Sequence, residues 1–374
     1  MSLFIGLMSG TSLDGVDGVL AEFDPASPAR AGLRVLAHRQ ADLPEALRTE
    51  LLRLNDPGAD ELHRGALAAN ALMRVYAGVV HALLRACRVP ASQVRAIGAH
   101  GQTVRHRPQE FDGTGYTLQL MNGALLAELC GIDVVCDLRS RDVAAGGQGA
   151  PLVPALHAAL FARAGRDGAV LNLGGIGNLT LLPAQGSVRG FDCGPGNVLL
   201  DLWYRRHQRG PYDAQGRWAA SGEVDASLLQ ILLDEPFLQR PPPKSTGRDL
   251  FNAAWLERAL RQRGAVAPVD VQATLTEFSA RAASDALQSL APRTSQLLVC
   301  GGGAFNDEFM RRLAARLPGC AVRSTEAAGI APLQVEALAF AWLAQAFAAR
   351  LPGNLPAVTG ARGPRVLGAL YPAA

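Results

Sequence analysis

Short apolar runs alternate along the chain with longer amphipathic stretches, which predicts a protein of the α/β class. The runs FIGLM (4–8) and VDGVLAEF (16–23) predict the first two strands, and 61–88 predicts a long helix. VRAIGAHG (94–101) predicts a buried strand that ends in a polar loop, HGQTVRHRP (100–108). A strand at 116–120, a helix near 122–131, a strand at 132–138 and a glycine-rich connection at 139–154 are expected to follow.

The pattern of a strand, a turn and a second strand then starts again. AVLNLGG (169–175) predicts a strand that ends in glycines, and NLTLLP (178–183) predicts its hairpin partner. Downstream, the pattern predicts a strand and turn at 187–197 and a Pro-rich loop at 241–249. It then predicts a helix at 270–290, a strand and glycine loop at 295–306, and a helix at 335–350. Two similar α/β halves with a cleft between them are the simplest interpretation.

The length of 374 residues also favours two lobes, because single cores stop growing below this size. We place the N-terminal lobe at 1–138 plus 333–374 and the C-terminal lobe at 139–332. Hinges are expected near 138–150 and near 330.

Composition excludes several classes of protein. Hydrophobic residues make up 49% and charged residues 18%, which is typical of a soluble globular chain. The net charge is only +3, and the sequence contains no cluster of cations of the kind that binds nucleic acid. The six cysteines form no C-x-x-C pair, which favours reduced thiols in a cytoplasmic protein over a zinc site. No signal peptide and no membrane span are expected.

Three glycine loops follow apolar strands: MSGTSLDG (8–15), NLGGIGN (172–178) and CGGGAFN (300–306). Backbone N–H groups in such turns form anion-binding concavities, although each loop alone is also compatible with a plain hairpin turn. A Walker A motif is absent because the only lysine, Lys244, follows Pro243. A dinucleotide fingerprint is disfavoured because GIGNLT ends in Thr180 and leads into a strand.

Two phosphate-binding hairpins and a third loop for the nucleoside resemble the superfamily of actin, hexokinase and heat-shock chaperone ATPases. The resemblance implies the two-lobed actin-like ATPase (ribonuclease H-like) fold, with mixed sheets flanked by helices. Six motifs in order further resemble the anhydro-N-acetylmuramic acid kinase family over residues 4 to about 345: MSGTSLDGVD (8–17), HGQTVRH (100–106), DLRSRDVAAGGQGAPLVP (137–154), NLGGIGN (172–178), FDCGPGN (191–197) and PPPKSTGRDLFN (241–252). The family usually has Thr where this chain has Cys193.

The resemblance implies an enzyme that adds water across the 1,6-anhydro ring of a bacterial cell-wall sugar. It phosphorylates O6 in the same reaction, with ATP and Mg²⁺, and gives N-acetylmuramic acid 6-phosphate and ADP. Asp192, in FDCGPGN, matches the catalytic aspartate of the family and follows a predicted strand. The alternative is an Asp that caps the helix beginning near Asn197.

The resemblance also assigns nucleotide-binding residues. They are Gly10, Thr11, Ser12, Leu13, Asp14, Gly15, Val16 and Asp17 in the first loop, Gly174, Gly175, Gly177 and Asn178 in the second, and Gly301, Gly302 and Gly303 in the third. Asp14 repels a bare phosphate and is expected to act as an outer ligand of Mg²⁺ bound to the nucleotide. The alternative is an Asp at its favoured turn position.

Sugar-binding candidates are His100, Gln102, Arg139, Asp142 and Glu336. The lactyl carboxylate of the substrate suits an arginine that donates two hydrogen bonds. Arg139 is the first choice, and Arg105, Arg107 and Arg141 are the alternatives. His100 has the alternative of a hydrogen-bonded loop histidine. Glu336 lies in an apolar helical run, where an isolated carboxylate is costly unless it faces the cleft.

Other functions remain open on the residues alone. One alternative is another sugar kinase or a phosphatase of the same superfamily. A second is a nucleotide-gated binding protein. The family resemblance further implies a homodimer, while the role of Lys244 is not assigned by it.

Overall fold

The computed structural model describes residues 1–10, 13–24 and 32–374, so the predicted site residues Thr11 and Ser12 lie outside the described residues. The described strands are β1 (Ser2–Met8), β2 (Gly15–Phe23), β3 (Leu33–Asp42), β4 (Val94–Ala99), β5 (Gln102–Pro108), β6 (Gly115–Leu120), β7 (Val134–Cys136), β8 (Gly168–Leu173), β9 (Ile176–Leu182), β10 (Arg189–Pro195), β11 (Gln296–Cys300), β12 (Ala321–Ser324) and β13 (Ala369–Tyr371).

The described residues also form fourteen α-helices. They are α1 (Glu45–Arg53), α2 (Glu61–Cys87), α3 (Gly123–Cys130), α4 (Ser140–Ala144), α5 (Val153–Phe161), α6 (Val198–His207), α7 (Arg217–Ala220), α8 (Ala226–Leu233), α9 (Pro236–Gln239), α10 (Ala253–Arg263), α11 (Pro268–Leu290), α12 (Asp307–Arg316), α13 (Val335–Ala348) and α14 (Pro356–Thr359).

The chain divides into two compact units, Met1–Leu160 with Leu333–Ala374, and Phe161–Pro332. Residues 139–160 were predicted to belong to the second lobe, but they lie in the first unit. Hydrogen bonds explain the difference, because Arg139 donates to His100 and Asp142 accepts from Asn354. The expected hinge at 138–150 therefore lies in a stretch that is bonded to the first unit.

The first unit contains a six-stranded sheet in the order β13-β7-β4-β1-β2-β3. Strands β1, β2 and β3 are antiparallel neighbours, whereas β1, β4 and β7 run parallel. The helix α2 packs its apolar side on one face of this sheet, through residues such as Leu72 and Tyr76. A second, two-stranded sheet pairs β5 with β6.

The second unit repeats the same order of strands. Its five-stranded sheet runs β10-β9-β8-β11-β12, again with an antiparallel meander beside a parallel pair. The two sheets thus share the ribonuclease H-like topology, which confirms the predicted fold class. The apolar core of this unit lies between the sheet and α11 and α12, and a second cluster joins α6, α8, α10 and α11.

Several predicted elements differ from the structure. Residues 102–108, predicted as loop, form the strand β5, because its partner β6 supplies the hydrogen bonds that a polar stretch does not reveal. The strand β3 was not predicted at all, since its residues are mostly half-buried or exposed at the sheet edge. The predicted strand 132–138 shortens to the three residues of β7.

The helix α2 is long and apolar enough to cross a membrane by length and composition. This test is passed equally by the core helices of globular proteins. Buried apolar residues of α2 such as Leu72 and Val80 belong to the core cluster of the first unit, and α2 packs against β2 and β3. The helix is therefore explained by its place in the core.

Close packing of α13 on the sheet depends on two glycines. A Cβ at Gly6 in β1 would overlap the backbone carbonyl of Ala337, and a Cβ at Gly98 in β4 would overlap that of Phe340. Neither backbone atom belongs to a flexible side chain that could move aside. The helix can therefore approach β1 and β4 only where both strands lack side chains.

We predict that Gly98→Ala lowers the free energy of unfolding by about 1–3 kcal/mol or more, because the added methyl group overlaps backbone. The matched control is Gly78→Ala in α2, where a Cβ meets nothing within 4 Å. That change is expected to raise stability by up to about 1 kcal/mol, since glycine is a poor helix former. Urea denaturation of both variants measures the difference. Equal stability of Gly98→Ala and the wild type would contradict the packing described here.

Candidate functional site

In the first unit, the loops after β1 and β4 meet at one edge of the sheet because the two strands are parallel neighbours. The Ser9 hydroxyl donates to the Gly101 carbonyl over 2.9 Å and lies 2.9 Å from the Tyr76 hydroxyl. All three groups are buried, and burial raises the pKa of Tyr76. Ser9 and Tyr76, which anchor the first glycine loop to α2, were not among the predicted site residues.

Gly10 connects the first loop to β5 through a hydrogen bond. Its carbonyl accepts hydrogen bonds from the Leu13 backbone N–H at 3.1 Å and from Gln102 Nε2 at 3.2 Å. Leu13 has a positive φ of 59°, which is unusual for a leucine, and its side chain is buried. Leu13 and the equally buried Val16 can therefore meet a ligand only through backbone atoms.

The acidic residues of this loop differ in their surroundings. Asp14 is exposed. The pKa of Arg48 in α1 is raised mainly by Glu45 and to a smaller extent by Asp14, so this arginine lies within electrostatic range of Asp14. Asp17 is paired with His38 of β3 at 2.9 Å. Gly15 is needed for packing, since a Cβ there would crowd the Ala41 carbonyl of β3 at 2.7 Å.

Arg139 and His100 form the central polar contact of the first unit. Arg139 Nε and Nη2 both donate to His100 Nε2, at 3.1 and 3.0 Å. An arginine has no acceptor, so His100 Nε2 must be unprotonated and Nδ1 carries the hydrogen that points to the Ser9 carbonyl at 3.3 Å. Burial, and then the charge of Arg139, lower the pKa of His100 to about 3, which makes it neutral at physiological pH.

The guanidinium of Arg139 retains hydrogen-bonding capacity. Besides the two hydrogen bonds to His100, Arg139 Nη1 donates to the Gly149 carbonyl at 2.8 Å. Three of the five guanidinium N–H groups are thus used, and two have no protein acceptor among the described residues. Burial lowers the pKa of Arg139 to about 10, while Glu336 and Asp142 oppose that effect. Glu336 lies half-buried in the first turn of α13, within electrostatic range of Arg139.

Asp142 has a different role from the predicted one. Its Oδ1 accepts hydrogen bonds from Asn354 Nδ2 at 2.6 Å and Thr359 Oγ1 at 2.8 Å, and its Oδ2 accepts from the Gly149 backbone at 2.8 Å. The side chain is completely buried. Asp142 therefore joins α4 to the C-terminal segment and is not available to a sugar.

The hairpin of β5 and β6 supplies further polar groups that were not predicted as site residues. His106 Nδ1 lies 2.9 Å from Thr117 Oγ1, and burial and Arg139 lower the pKa of His106 to about 4. Gln109 Nε2 donates to the Gly146 carbonyl at 2.8 Å, and Gln148 Nε2 donates to Gln109 Oε1 at 2.9 Å. The hairpin thus holds the glycine-rich segment that follows Arg139.

In the second unit, three backbone segments converge at the end of β8. The Gly174 carbonyl accepts from the Asn197 N–H at 2.8 Å, and the Gly175 carbonyl accepts from the Gly196 N–H at 2.9 Å. A Cβ at Gly303 would overlap the Leu173 side chain at the end of β8. These contacts bring together the predicted residues Gly174, Gly175, Gly301, Gly302 and Gly303. Such a cradle of close-packed glycine backbone suits a phosphate or nucleoside group.

Cys193 lies beside this cradle. Its buried thiol donates to the Gly177 carbonyl at 3.2 Å, and burial raises its pKa to about 12. A threonine hydroxyl could donate to the same carbonyl. The departure from the usual family residue therefore preserves one donor at this position.

Asp192 lies on the edge strand β10, opposite Asn178 of β9. A register irregularity between Asp192 and Gly194 interrupts the ladder, as strand bulges do where a side chain is redirected. The Asp192 N–H donates to the Lys244 carbonyl at 3.1 Å, and its Oδ2 accepts from the Thr246 N–H at 2.9 Å. The alternative of a helix cap is wrong, because Asn197 is the N-cap residue of α6 and the Asp192 carboxylate is bonded to Thr246 instead.

Burial raises the pKa of Asp192 to about 6, while the Thr246 N–H and the charge of Lys244 act in the opposite direction. A half-buried carboxylate with this pKa is ionised at neutral pH and still basic enough to accept a proton. Among the described residues, no group of three or more His, Cys, Asp or Glu side chains is arranged to hold a metal. A Mg²⁺ ion at Asp14 would therefore need further ligands from a bound phosphate.

Comparison with known proteins identifies the family. The family model described as anhydro-N-acetylmuramic acid kinase matches residues 2–373. An anhydro-N-acetylmuramic acid kinase of Variovorax paradoxus is 60% identical over 99% of both chains. One of Bordetella petrii is 63% identical over 99% of this chain and 96% of its own.

Among solved structures, an activator of 2-hydroxyisocaproyl-CoA dehydratase from Clostridium difficile with bound ADPNP aligns over 93% of this chain and 96% of its own. Its TM-score of 0.47 and identity of 11% are too low to support an argument about function. The sequence relatives, by contrast, match from end to end. The chain belongs to the anhydro-N-acetylmuramic acid kinase family.

Proposed function

We propose that this protein is an ATP-dependent kinase that opens the 1,6-anhydro ring of 1,6-anhydro-N-acetylmuramic acid and phosphorylates O6. The products are N-acetylmuramic acid 6-phosphate and ADP, which places the reaction in the recycling of peptidoglycan. The names of the relatives support this substrate. The structural observation that carries the proposal is Asp192, a half-buried carboxylate with a pKa of about 6 held beside glycine loops.

Asp192 acts as the general base in this proposal. The Thr246 N–H donates a hydrogen bond to Oδ2 and orients the carboxylate that accepts the proton. The carboxylate takes a proton from a water molecule, whose oxygen forms a bond to C1 of the sugar. The C1–O6 bond breaks with its electron pair on O6, and O6 then accepts the phosphoryl group. General-base catalysis of this kind contributes about 10²–10⁴-fold.

The nucleotide is assigned to the three glycine loops. ATP supplies the phosphoryl group, and Mg²⁺ would neutralise charge on its phosphates with Asp14 as an outer ligand. Gly174, Gly175 and Gly301 to Gly303 form the backbone cradle of the second unit. Because Lys244 is the only lysine and is absent from these loops, backbone N–H groups and Mg²⁺ would together neutralise the phosphate charge.

The sugar is assigned to Arg139, His100, Gln102 and Glu336 of the first unit. The two N–H groups of Arg139 without a protein acceptor among the described residues suit the lactyl carboxylate as a bidentate partner. Neutral His100 orients this guanidinium and does not compete for the anion. Gln102 is buried, and its Oε1 has no hydrogen-bond partner within the described ranges, which suits a sugar hydroxyl.

The cellular setting is also part of the proposal. A soluble enzyme of cell-wall recycling is assigned to the cytoplasm, and a homodimer is assigned by family resemblance. Light scattering on the purified protein measures the oligomeric state directly, and a monomeric mass would remove the dimer from the proposal.

The reaction is tested by ADP release with and without 1,6-anhydro-N-acetylmuramic acid. We expect release to depend on the sugar, and we expect Asp192→Asn to fold, bind ATP and lose at least about 10²-fold in turnover. Isothermal titration with ATP is the control for binding. Near-normal turnover of Asp192→Asn would remove it as the base, and hydrolysis independent of the sugar would favour a nucleotide-gated binding protein.

The pH profile tests the same residue. Because Asp192 must be ionised to accept a proton, kcat/KM should fall about tenfold per pH unit below a limb near pH 6. The base is fully ionised above this limb, so activity is lost as the pH falls and not as it rises. A limb near pH 4, the range of an ordinary carboxyl group, would show that burial does not perturb the working base.

The carboxylate contact is tested with Arg139→Lys, which keeps the charge but loses the planar pair of donors. We expect KM for the sugar to rise about tenfold or more, as the loss of a charged hydrogen bond implies, with KM for ATP unchanged. The matched control is Arg141→Lys in α4, the helix for which Arg139 is the N-cap residue, because Arg141 is exposed. Equal values of KM for the sugar in both variants would contradict the assignment.

A further inference from the structure

Lys244 is the only lysine of the chain, and the structure buries it to 8% exposure. It lies in the Pro-rich loop that runs from α9 to α10. A buried lysine is costly unless its ammonium group finds partners. The partners of its ammonium group therefore indicate the role of the side chain.

The ammonium group of Lys244 is bound to the end of α9. Nζ donates to the Phe237 carbonyl at 3.2 Å and to the Leu238 carbonyl at 2.9 Å. It also lies 4.8 Å from the centre of the Phe237 ring, over which a cation is attracted. A compact ammonium group with three donors fits this position between two carbonyls and a ring, whereas a planar guanidinium does not match it. Phe237 is itself fixed in the core by an edge contact with Phe251.

The backbone around Lys244 holds Asp192 at two atoms. The Lys244 carbonyl accepts from the Asp192 N–H, and two residues later the Thr246 N–H donates to the Asp192 carboxylate. The loop thus pairs with the edge strand β10 on the side that the sheet leaves open. Since the side chain of Lys244 ties this loop to α9, it also determines where the Thr246 N–H lies.

The charge of Lys244 acts on the same carboxylate. Its ammonium group favours the ionised form of Asp192 and opposes the effect of burial on that pKa. Cys193, the neighbouring titratable group, is a buried neutral thiol. Arg240 acts on Lys244 and not on Asp192. The elements packed against β10, which are β9, α9 and α11, bring no other charged side chain that shifts the pKa of Asp192.

We infer that Lys244 is a positioning residue for the proposed base: it fixes the 244–246 backbone against Asp192 and supplies a positive charge within electrostatic range of its carboxylate. The inference rests on the proposed function, because it concerns the residue assigned there as the base. A residue with a purely structural role would lower stability without moving the pH dependence of the reaction.

The test compares Lys244→Met with Lys244→Arg and the control Arg240→Met in the full-length protein. In Lys244→Met we expect the acid limb of kcat/KM to move up by about one pH unit, because an opposing charge is lost. Hydrogen exchange of the 244–249 peptide should become faster, while the Kd for ATP stays within about twofold. Lys244→Arg keeps the charge and is expected to keep the acid limb, with faster exchange. Arg240→Met should change neither quantity.

The outcomes separate this inference from the proposed function. If Asp192→Asn is inactive while Lys244→Met keeps the wild-type acid limb and exchange rate, the inference is overturned and the base assignment stands. If Asp192→Asn retains turnover, the base assignment and the inference both fail. If Lys244→Met does not fold, Lys244→Arg decides by its exchange rate and acid limb. An acid limb displaced in Lys244→Arg as well would show that the charge is not the cause.

Discussion

Parallel pairing of β1 with β4, held under α13, is the constraint on which the first unit depends. The helix approaches both strands so closely that Gly6 and Gly98 admit no side chain. This packing places the loops after β1 and β4 at one edge of the sheet, where Ser9, Gly101 and Tyr76 are joined by buried hydrogen bonds. It also brings the first turn of α13, and with it Glu336, into electrostatic range of Arg139. The positions of the candidate sugar-binding groups therefore follow from backbone packing.

Burial decides which polar residues are structural and which remain available for chemistry. Asp142 is completely buried, and both of its oxygens accept hydrogen bonds from the protein. Arg139 is only half-buried and keeps two donors without an acceptor among the described residues. Both residues lie in one polar motif, DLRSRD, so their types and spacing do not distinguish these roles. The number of partners that each side chain finds in the fold makes the distinction.

The same reasoning applies to Asp192 in the second unit. A carboxylate on an edge strand would ordinarily be solvated and weakly basic. Here burial raises its pKa, while one backbone N–H and one ammonium group limit the rise. The opposing effects leave a group that is ionised near neutral pH and can still accept a proton. The loop that supplies both opposing groups is attached to α9 by the chain's single lysine.

Local patterns in the chain were sufficient to predict the two strand–turn–strand openings, the long helices and the glycine loops. These features depend on alternation of apolar residues and on backbone freedom at glycine, which neighbours along the chain determine. The family was also predicted, since six motifs in order are specific even though each alone is weak. The strand β3, the hairpin of β5 and β6 and the membership of residues 139–160 were not predictable, because their hydrogen-bond partners are distant in the sequence. The sequence by itself thus determined the fold class, the family and the types of chemically competent residue. Only the tertiary structure decided the tautomer of His100, the structural role of Asp142 and the contacts of Lys244, because desolvation and hydrogen bonding arise from groups brought together by folding.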